Sequence, residues 1–236
     1  MKRRRPGLQG KWGYIVNSLQ AIIPSYEGAS SIISIHADRR MRASSIEFAI
    51  KEGSLVLDLG AGPGVMGRLA HAKGGDPVLL DVSRAMLEGA AEFPNRVRAV
   101  FEFLPFRERA FDSVISGFAI RDAHDLSKAL GQVALVLKSN GRFSFCDLGK
   151  PNSAIASLMV ALYLRVAPGI IGLATAGRVG LRYGSIYDTY VLALHNSELM
   201  ALLLCHFGNV EIEETQLGGS IVAKCVKVAR PSSTVR

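Results

Sequence analysis

From Ser54 onward, short apolar runs alternate with stretches whose apolar residues recur every three or four positions. The runs are Leu55-Val56-Leu57, Val78-Leu79-Leu80, Val97 to Phe101, Ser113-Val114-Ile115 and Arg142 to Cys146. Their length and β-branched content predict buried strands. Val65 to Lys73, Ser83 to Glu92 and Asp125 to Leu137 lie between them and carry helical spacing. Strands separated by helices of this length need crossover connections, which are right-handed and build a parallel sheet. After Pro151 the regularity lapses, then returns with a helix, Ser197 to Cys205, and two runs, Val210-Glu211-Ile212 and Ser220 to Val228. Gly218-Gly219 between those runs predicts a hairpin. The pattern therefore predicts an α/β fold with a Rossmann-like, seven-stranded, mostly parallel sheet that closes in an antiparallel C-terminal hairpin. No internal repeat interrupts it. We expect a single domain over residues 1–236, with an N-terminal helical extension (1–50) and an inserted helical lid (152–195).

The segment Ala154 to Ala174 is long enough to cross a bilayer. Arg165 near its middle would cost about 2.5–3.5 kcal/mol there, and Pro168-Gly169 is expected to break the helix. A buried or interfacial helix followed by a turn is the expectation.

Composition sharpens this picture only in part. Hydrophobic residues make up 49% of the 236, and the mean hydropathy is +0.24, which rules out a disordered chain. The net charge of +8 points to an anionic partner or surface. Met1-Lys2-Arg3-Arg4-Arg5 begins like a signal peptide, but Pro6, Gly7, Gln9, Gly10 and Lys11 replace the apolar stretch that should follow. It reads as a solvated tail or as a tether to anionic lipid, each basic residue contributing about 1 kcal/mol at such a surface. Cys146, Cys205 and Cys225 are too scattered for a disulfide scaffold or a zinc site, so no metal is expected. A cytoplasmic location, peripheral on the inner face of the membrane, is the expectation.

The strongest motif is Val56-Leu57-Asp58-Leu59-Gly60-Ala61-Gly62-Pro63-Gly64. Glycines at a strand-to-helix turn let a ligand approach the backbone, and the following helix aims free N–H groups at it. Asp81 comes 17 residues after Gly64 and ends the next apolar run, where a carboxylate can grip both ribose hydroxyls. Gly62 to Gly67 also fits the dinucleotide pattern G-x-G-x-x-G. Asp58 separates the two readings. An acid two residues before Gly60 would repel a pyrophosphate, whereas the ammonium and sulfonium of S-adenosylmethionine favour a nearby carboxylate.

Further segments are similar to those of class I S-adenosylmethionine-dependent methyltransferases, and specifically to the ubiquinone/menaquinone biosynthesis C-methyltransferases. Leu104-Pro105-Phe106 before Phe111-Asp112 resembles the loop that closes over adenine, with Phe103 and Leu104 against the base. Lys138-Ser139-Asn140-Gly141-Arg142 resembles a Lys-Pro-Gly-Gly turn, expected at the end of the fifth strand with Asn140 left-handed. Ile23-Pro24-Ser25-Tyr26-Glu27 and Ser34 to Arg40 resemble that family's opening, and Phe118-Ala119-Ile120-Arg121-Asp122 its Phe-Gly-Leu-Arg-Asn segment. Phe145 to Pro151 resembles its Glu-Phe-Ser-Lys-Pro, Arg182 to Ile186 its Tyr-x-Tyr-Leu-x-x-Ser-Ile, and Leu217 to Ala223 its Thr-Gly-Gly-Ile-Val-Ala.

The resemblance implies S-adenosyl-L-methionine as cofactor, held by Tyr26, Arg42, Asp58, Gly60, Ala61, Gly62, Gly64, Asp81, Val82, Met86, Phe101, Glu102, Phe103 and Gly117. Glu102 stands too close to Leu104 to take the place of the acid that relatives use for the adenine amino group. Adenine recognition is then expected to lean on backbone groups. The implied reaction is methyl transfer to a ring carbon of a prenylated quinol. Asp122, Asp147 and His124 are candidate bases, and Arg121 would steady the phenolate. Asp122 or Asp125 can equally cap the helix that follows. Asp122 stands where that family has asparagine, which supplies a direct base or signals another substrate.

The region from Ala154 to Tyr190, with Arg165, Arg178 and Arg182, is the expected acceptor channel at a membrane surface, or else a homodimer interface. Rival readings are a methyltransferase for another phenol or lipid, an RNA methyltransferase and a non-catalytic cofactor-binding protein. Aromatic residues are only 7%, few for base stacking, and no RNA module is present, so no nucleic-acid partner is expected.

Overall fold

The computed structural model describes Gly13 and residues 37–228. The expected Tyr26 contact and the basic tail lie outside the described residues. Seven strands form one sheet: β1 (Leu55–Leu59), β2 (Asp76–Asp81), β3 (Arg96–Arg98), β4 (Phe111–Gly117), β5 (Leu137–Leu148), β6 (Asn209–Thr215) and β7 (Ser220–Val226). Their order is β3-β2-β1-β4-β5-β7-β6. The first five strands pair in parallel, and β7 runs antiparallel to both β5 and β6. The sheet is that of a class I methyltransferase.

Helices cover both faces, so the central strands β1 and β4 are buried along almost their whole length, and most of their residues are apolar, as suits a doubly covered parallel sheet. On one face α4 (Leu126–Val136) and α7 (Asn196–Leu204) bury Leu130, Val133 and Leu203 against Leu57, Val114 and Phe143. On the other, α1 (Asp38–Ala49) and α2 (Val65–Ala72) bury Met41, Ile46, Met66 and Ala70 against Val56 and Ile115. The short α3 (Arg84–Glu88) follows β2.

Several elements depart from the sequence pattern. The helix expected over Ser83 to Glu92 stops at Glu88, where Gly89 follows. The run from Val97 to Phe101 contributes only the tail of β3, an edge strand with one neighbour to hold it. Lys138 to Arg142 lies at the start of β5 rather than its end, with Asn140 left-handed (φ 60°) as anticipated.

The largest departure is α5, which runs unbroken over Ala154–Ala176 with Pro168 inside it. Proline forfeits one amide bond and crowds the preceding turn. Here the helix is secured at both ends. The Ser153 hydroxyl accepts the Ala156 amide (3.4 Å), and Gly177 ends it into a 3₁₀ segment, Gly177–Gly184, that folds back with Gly172 and Gly180 backbone to backbone. A further helix, α6 (Ser185–Leu192), leads into α7.

Candidate active site

From β1 the chain winds outward through β2 and β3, then returns to build β4 and β5 on β1's other side. Connections leaving β1 and β4 in opposite directions open a crevice at their C-terminal ends. The Ser116 hydroxyl donates to the Leu59 carbonyl (2.7 Å) and ties those ends together. The crevice encloses about 520 Å³ of non-protein space, part of it open to solvent.

Its walls come from six elements, one of them α2 with Val65 and Met66. Gly60, Ala61 and Gly62 follow β1, Asp81 ends β2, Met86 lies on α3, Gly117 to Ala119 and Asp122 follow β4, and Arg42 reaches in from α1. Gly60 has φ of 72°, and a Cβ there would stand 2.5 Å from the Ala119 Cβ and 2.9 Å from the Phe101 ring. No other residue fits that turn. The Gly60 and Ala61 amides both donate to the Leu80 carbonyl (2.8 and 3.0 Å), which presses the loop onto β2. Asp81 is fixed in turn: one carboxylate oxygen accepts the Gly62 amide (2.9 Å) and the other the Ser83 amide (2.8 Å). Each oxygen keeps a lone pair for a ligand hydroxyl. Burial pushes the Asp81 carboxyl up, and the amides of Ser83, Gly62 and Val82 pull it back.

Asp58 stands one layer behind the loop. Its side chain is fully buried, packs beneath Gly67 and has neither oxygen hydrogen-bonded. Burial pushes its carboxyl up to about 7; the Gly67 amide, close but outside hydrogen-bond geometry, and Arg42 oppose the shift.

A 3₁₀ turn, Ile120–Asp122, follows β4 and divides two cavities. Asp122 faces the crevice with its Oδ1 sealed from solvent and without a hydrogen bond, 3.6 Å from Arg121 Nε. Burial pushes its carboxyl up to about 6; Asp147 and Asp81 add to the shift and Arg121 opposes it. Arg121 faces the other way, into an apolar cavity of about 510 Å³ lined also by Phe145, Asp147, Leu192 and Leu194. Asp147 is almost wholly buried and accepts the Arg121 guanidinium, the Arg121 amide (3.2 Å) and its own neighbour's amide at Leu148 (2.8 Å). Arg121 also donates to Thr189 Oγ1 (3.1 Å) and the Phe118 carbonyl (2.9 Å).

Residues 57–145, from β1 into β5, match the family model for a methyltransferase domain. The chain is 27% identical over 227 residues to a demethylmenaquinone methyltransferase of Clavibacter sepedonicus, covering 93% of this chain and 91% of that one. It is 26% identical to a ubiquinone/menaquinone biosynthesis C-methyltransferase of Haemophilus ducreyi, covering 89% and 85%. This chain is a class I S-adenosylmethionine-dependent methyltransferase. Among solved structures, a methyltransferase of Thermotoga maritima superposes with a TM-score of 0.61 at 16% identity, over 90% of this chain and 99% of that one. The [4+2]-cyclase SpnF superposes equally well (TM-score 0.61, 14% identity, 96% and 99% covered), so the fold alone does not fix the reaction.

Within this methyltransferase, the tertiary structure brings Arg42, Gly60, Ala61, Gly62, Asp81, Met86 and Gly117 to one crevice together with Asp122. Phe101 supports it from behind, its ring against Gly60. Others expected there stand elsewhere. Glu102 is buried with its carboxylate on the Asp125 amide (2.9 Å), and Phe103 is 66% exposed beneath Lys128. Leu104 joins the core, Gly64 packs against Leu79 and Ala90, and the Val82 carbonyl accepts Arg98. His124 is exposed and lines neither cavity. Asp125, not Asp122, caps α4 by accepting the Lys128 amide (3.1 Å). Phe118, Ala119 and Thr189 were not anticipated. Phe118 adopts φ of 61°, a strained backbone for an aromatic residue that no sequence pattern announces.

Proposed function

We propose that this methyltransferase methylates a ring carbon of a prenylated quinol, with Asp122 as general base. The observation that carries the reading is the Asp122 carboxylate, buried and only partly satisfied at the edge of the crevice that holds the glycine loop and Asp81. The names of the full-length relatives supply the acceptor class.

The residues present fit S-adenosylmethionine: Asp81 has free lone pairs for ribose hydroxyls, and Gly60 and Gly62 leave the loop open to a ligand. When bound, the cofactor supplies an electrophilic methyl group on a sulfonium. The chain must make the acceptor nucleophilic. A phenol of pKa about 10 is only about a thousandth ionised at pH 7. Asp122 takes the hydroxyl proton and the neighbouring ring carbon gains electron density; after methylation that carbon loses its own hydrogen as a proton to solvent, the ring regains aromaticity, and Asp122 returns its proton to the oxygen. A carboxyl near 6 suits this role better than one near 4, because it accepts a proton more readily while remaining mostly ionised at pH 7. The Arg121–Asp147 pair holds the turn that aims Asp122. The test is turnover of a reduced demethylquinone. Failure with it, alongside methylation of another phenol, would favour the second reading, for which Asp122 in the place of asparagine speaks.

Replacing Asp81 with Ala removes both anchors of the Gly62–Ser83 corner and the ribose contact. Cofactor affinity is expected to fall about 10-fold or more, as charged hydrogen bonds are lost. Titration calorimetry with S-adenosylhomocysteine checks this, and unchanged affinity would remove Asp81 from the site.

The acceptor reading extends to α5. Ile155, Leu158, Met159, Leu162, Val166, Ile170 and Leu173 form one exposed stripe at spacings of three and four, and the helix is long and apolar enough to cross a membrane (mean hydropathy 1.9). Exposed Arg165, Arg178 and Arg182 stand beside it. An apolar stripe flanked by cations fits the surface of an anionic bilayer, with the helix lying in the interface. Anionic vesicles should capture the protein at low salt, and about 0.5 M salt should release most of it, since charge attraction is then screened within a few ångströms. Equal capture by neutral vesicles, or a stable dimer that ignores vesicles, would refute the docking.

A further inference from the structure

Arg121 and Asp122 are adjacent in the chain, yet their side chains share no hydrogen bond. Arg121 Nε stands 3.6 Å from Asp122 Oδ1, and that buried oxygen accepts none from elsewhere. A guanidinium beside a carboxylate usually closes to a charge-assisted bond of about 2.7–2.9 Å. The donor side shows what holds this one back. The Arg121 Nε–H is given to Thr189, whose Oγ1 accepts it at 3.1 Å. Arg121 Nη1 goes to Asp147 and to the Phe118 carbonyl (2.9 Å).

Thr189 is built to hold that donor. It lies on α6 in the buried row Ser185, Thr189 and Tyr190, and is only 3% exposed. Its hydroxyl donates to the Ile186 carbonyl one turn back (2.9 Å), so its oxygen has only lone pairs left to turn toward Arg121. α6 itself is pinned twice. The Tyr190 hydroxyl donates to the Ser157 carbonyl of α5 (2.9 Å), and Lys150 Nζ donates to the Val191 carbonyl (3.2 Å). The acceptor for Arg121 is thus fixed by the inserted helices rather than by the sheet. A largely buried N–H deprived of it needs another acceptor, and Asp122 Oδ1 is at hand.

We propose that Thr189 is a positioning residue for Asp122: by engaging the Arg121 Nε–H, it keeps that donor off the Asp122 carboxylate and leaves the base free to take the acceptor's proton. The inference rests on Asp122 being the base, as proposed above. A carboxylate hydrogen-bonded to a guanidinium is a weaker base, because the bond favours its ionised form. Arg121 already opposes the raised Asp122 carboxyl from 3.6 Å, and a direct bond would oppose it further. The other charged groups around Asp122 are Asp147 at the end of β5, Asp81 at the end of β2 and Arg42 from α1. A substitution at Thr189 leaves all three charges in place.

Thr189→Val removes the hydroxyl and keeps the shape of the side chain. The direct readout is the Asp122 carboxyl, followed by carbon-13 NMR in the full chain labelled at its aspartate carboxyls, with Asp122→Asn identifying the signal. The wild-type midpoint near pH 6 should fall by about one pH unit in Thr189→Val, as one closer opposite charge predicts, and Thr189→Ser should restore it. With a reduced demethylquinone as acceptor, the acidic limb of kcat/KM should move down equally. Its plateau should drop about threefold or more as the base weakens. An unmoved midpoint in Thr189→Val overturns the inference, and a turnover loss without that movement makes Thr189 merely structural. Where Thr189→Val does not fold, the wild type still decides: an Asp122 midpoint near the ordinary value of about 4 would show the donor already engaged and overturn the inference. Full turnover in Asp122→Ala, by contrast, defeats the base reading beneath it, whatever the midpoint does.

Discussion

Asp122→Ala is expected to lower turnover by about 10²-fold or more while leaving S-adenosylhomocysteine affinity within about twofold, the signature of a lost general base. The pH dependence carries the same information. Burial raises the Asp122 carboxyl to about 6, above its ordinary value. Below that pH the group is protonated and cannot accept the acceptor's proton, so kcat/KM should rise through about pH 6 and level off above about pH 7. Asp122→Asn abolishes the titration and should erase that acidic limb. It also places at this position the amide that the quinone family carries, so part of the activity should survive through a bound water. Single-turnover rates across pH 5 to 8 for the wild type and both variants would decide the matter. Full turnover in the Ala variant would exclude Asp122 as the base.

Asp147→Ala should act on stability instead. Its carboxylate neutralises the Arg121 guanidinium in a setting where the two side chains are 1% and 11% exposed. Removing one member of a buried pair leaves the other charged and without its nearest counter-charge, at a cost of about 3–5 kcal/mol. For a chain of this size that corresponds to a fall of roughly 10 °C in Tm. Thr189 and the Phe118 carbonyl remain as neutral partners of Arg121, and Asp122, 3.6 Å from its Nε, as a longer ionic one, which places the loss at the lower end of that range. Asp147→Asn keeps the hydrogen-bond geometry and should lose less. Thermal and urea unfolding followed by circular dichroism would measure both variants. An unchanged midpoint in the Ala variant, or turnover lost at full stability, would show Asp147 to be chemical rather than structural.

The alternation of apolar runs and helical stretches, the Gly60–Gly64 loop, Asp81 ending the next strand and the Gly218-Gly219 hairpin were all legible along the chain. Each depends on local requirements: a doubly covered strand must be apolar, a tight turn must be glycine, and a carboxylate at a strand end must face the crevice. The placement of Arg42 is not local. It lies 18 residues before Gly60, and nothing in its helix says which neighbours surround it; Gly117, at the end of β4 on the same face of the sheet, leaves room for its guanidinium. Asp122 and Asp147 look equivalent as acids near two strand ends. They diverge because one turn of 3₁₀ helix sends adjacent side chains to opposite walls, Arg121 to Asp147 and Asp122 to the crevice. The Glu102 carboxylate is likewise placed by packing, since the orphan amide at Asp125 claims it. The helix across Pro168 follows the same rule: sequence reports the lost hydrogen bond, whereas capping and the close return of Gly180 onto Gly172 decide that the helix continues. Periodicity fixes which residues are buried, and tertiary packing decides which buried charge meets a partner and which one waits for a ligand.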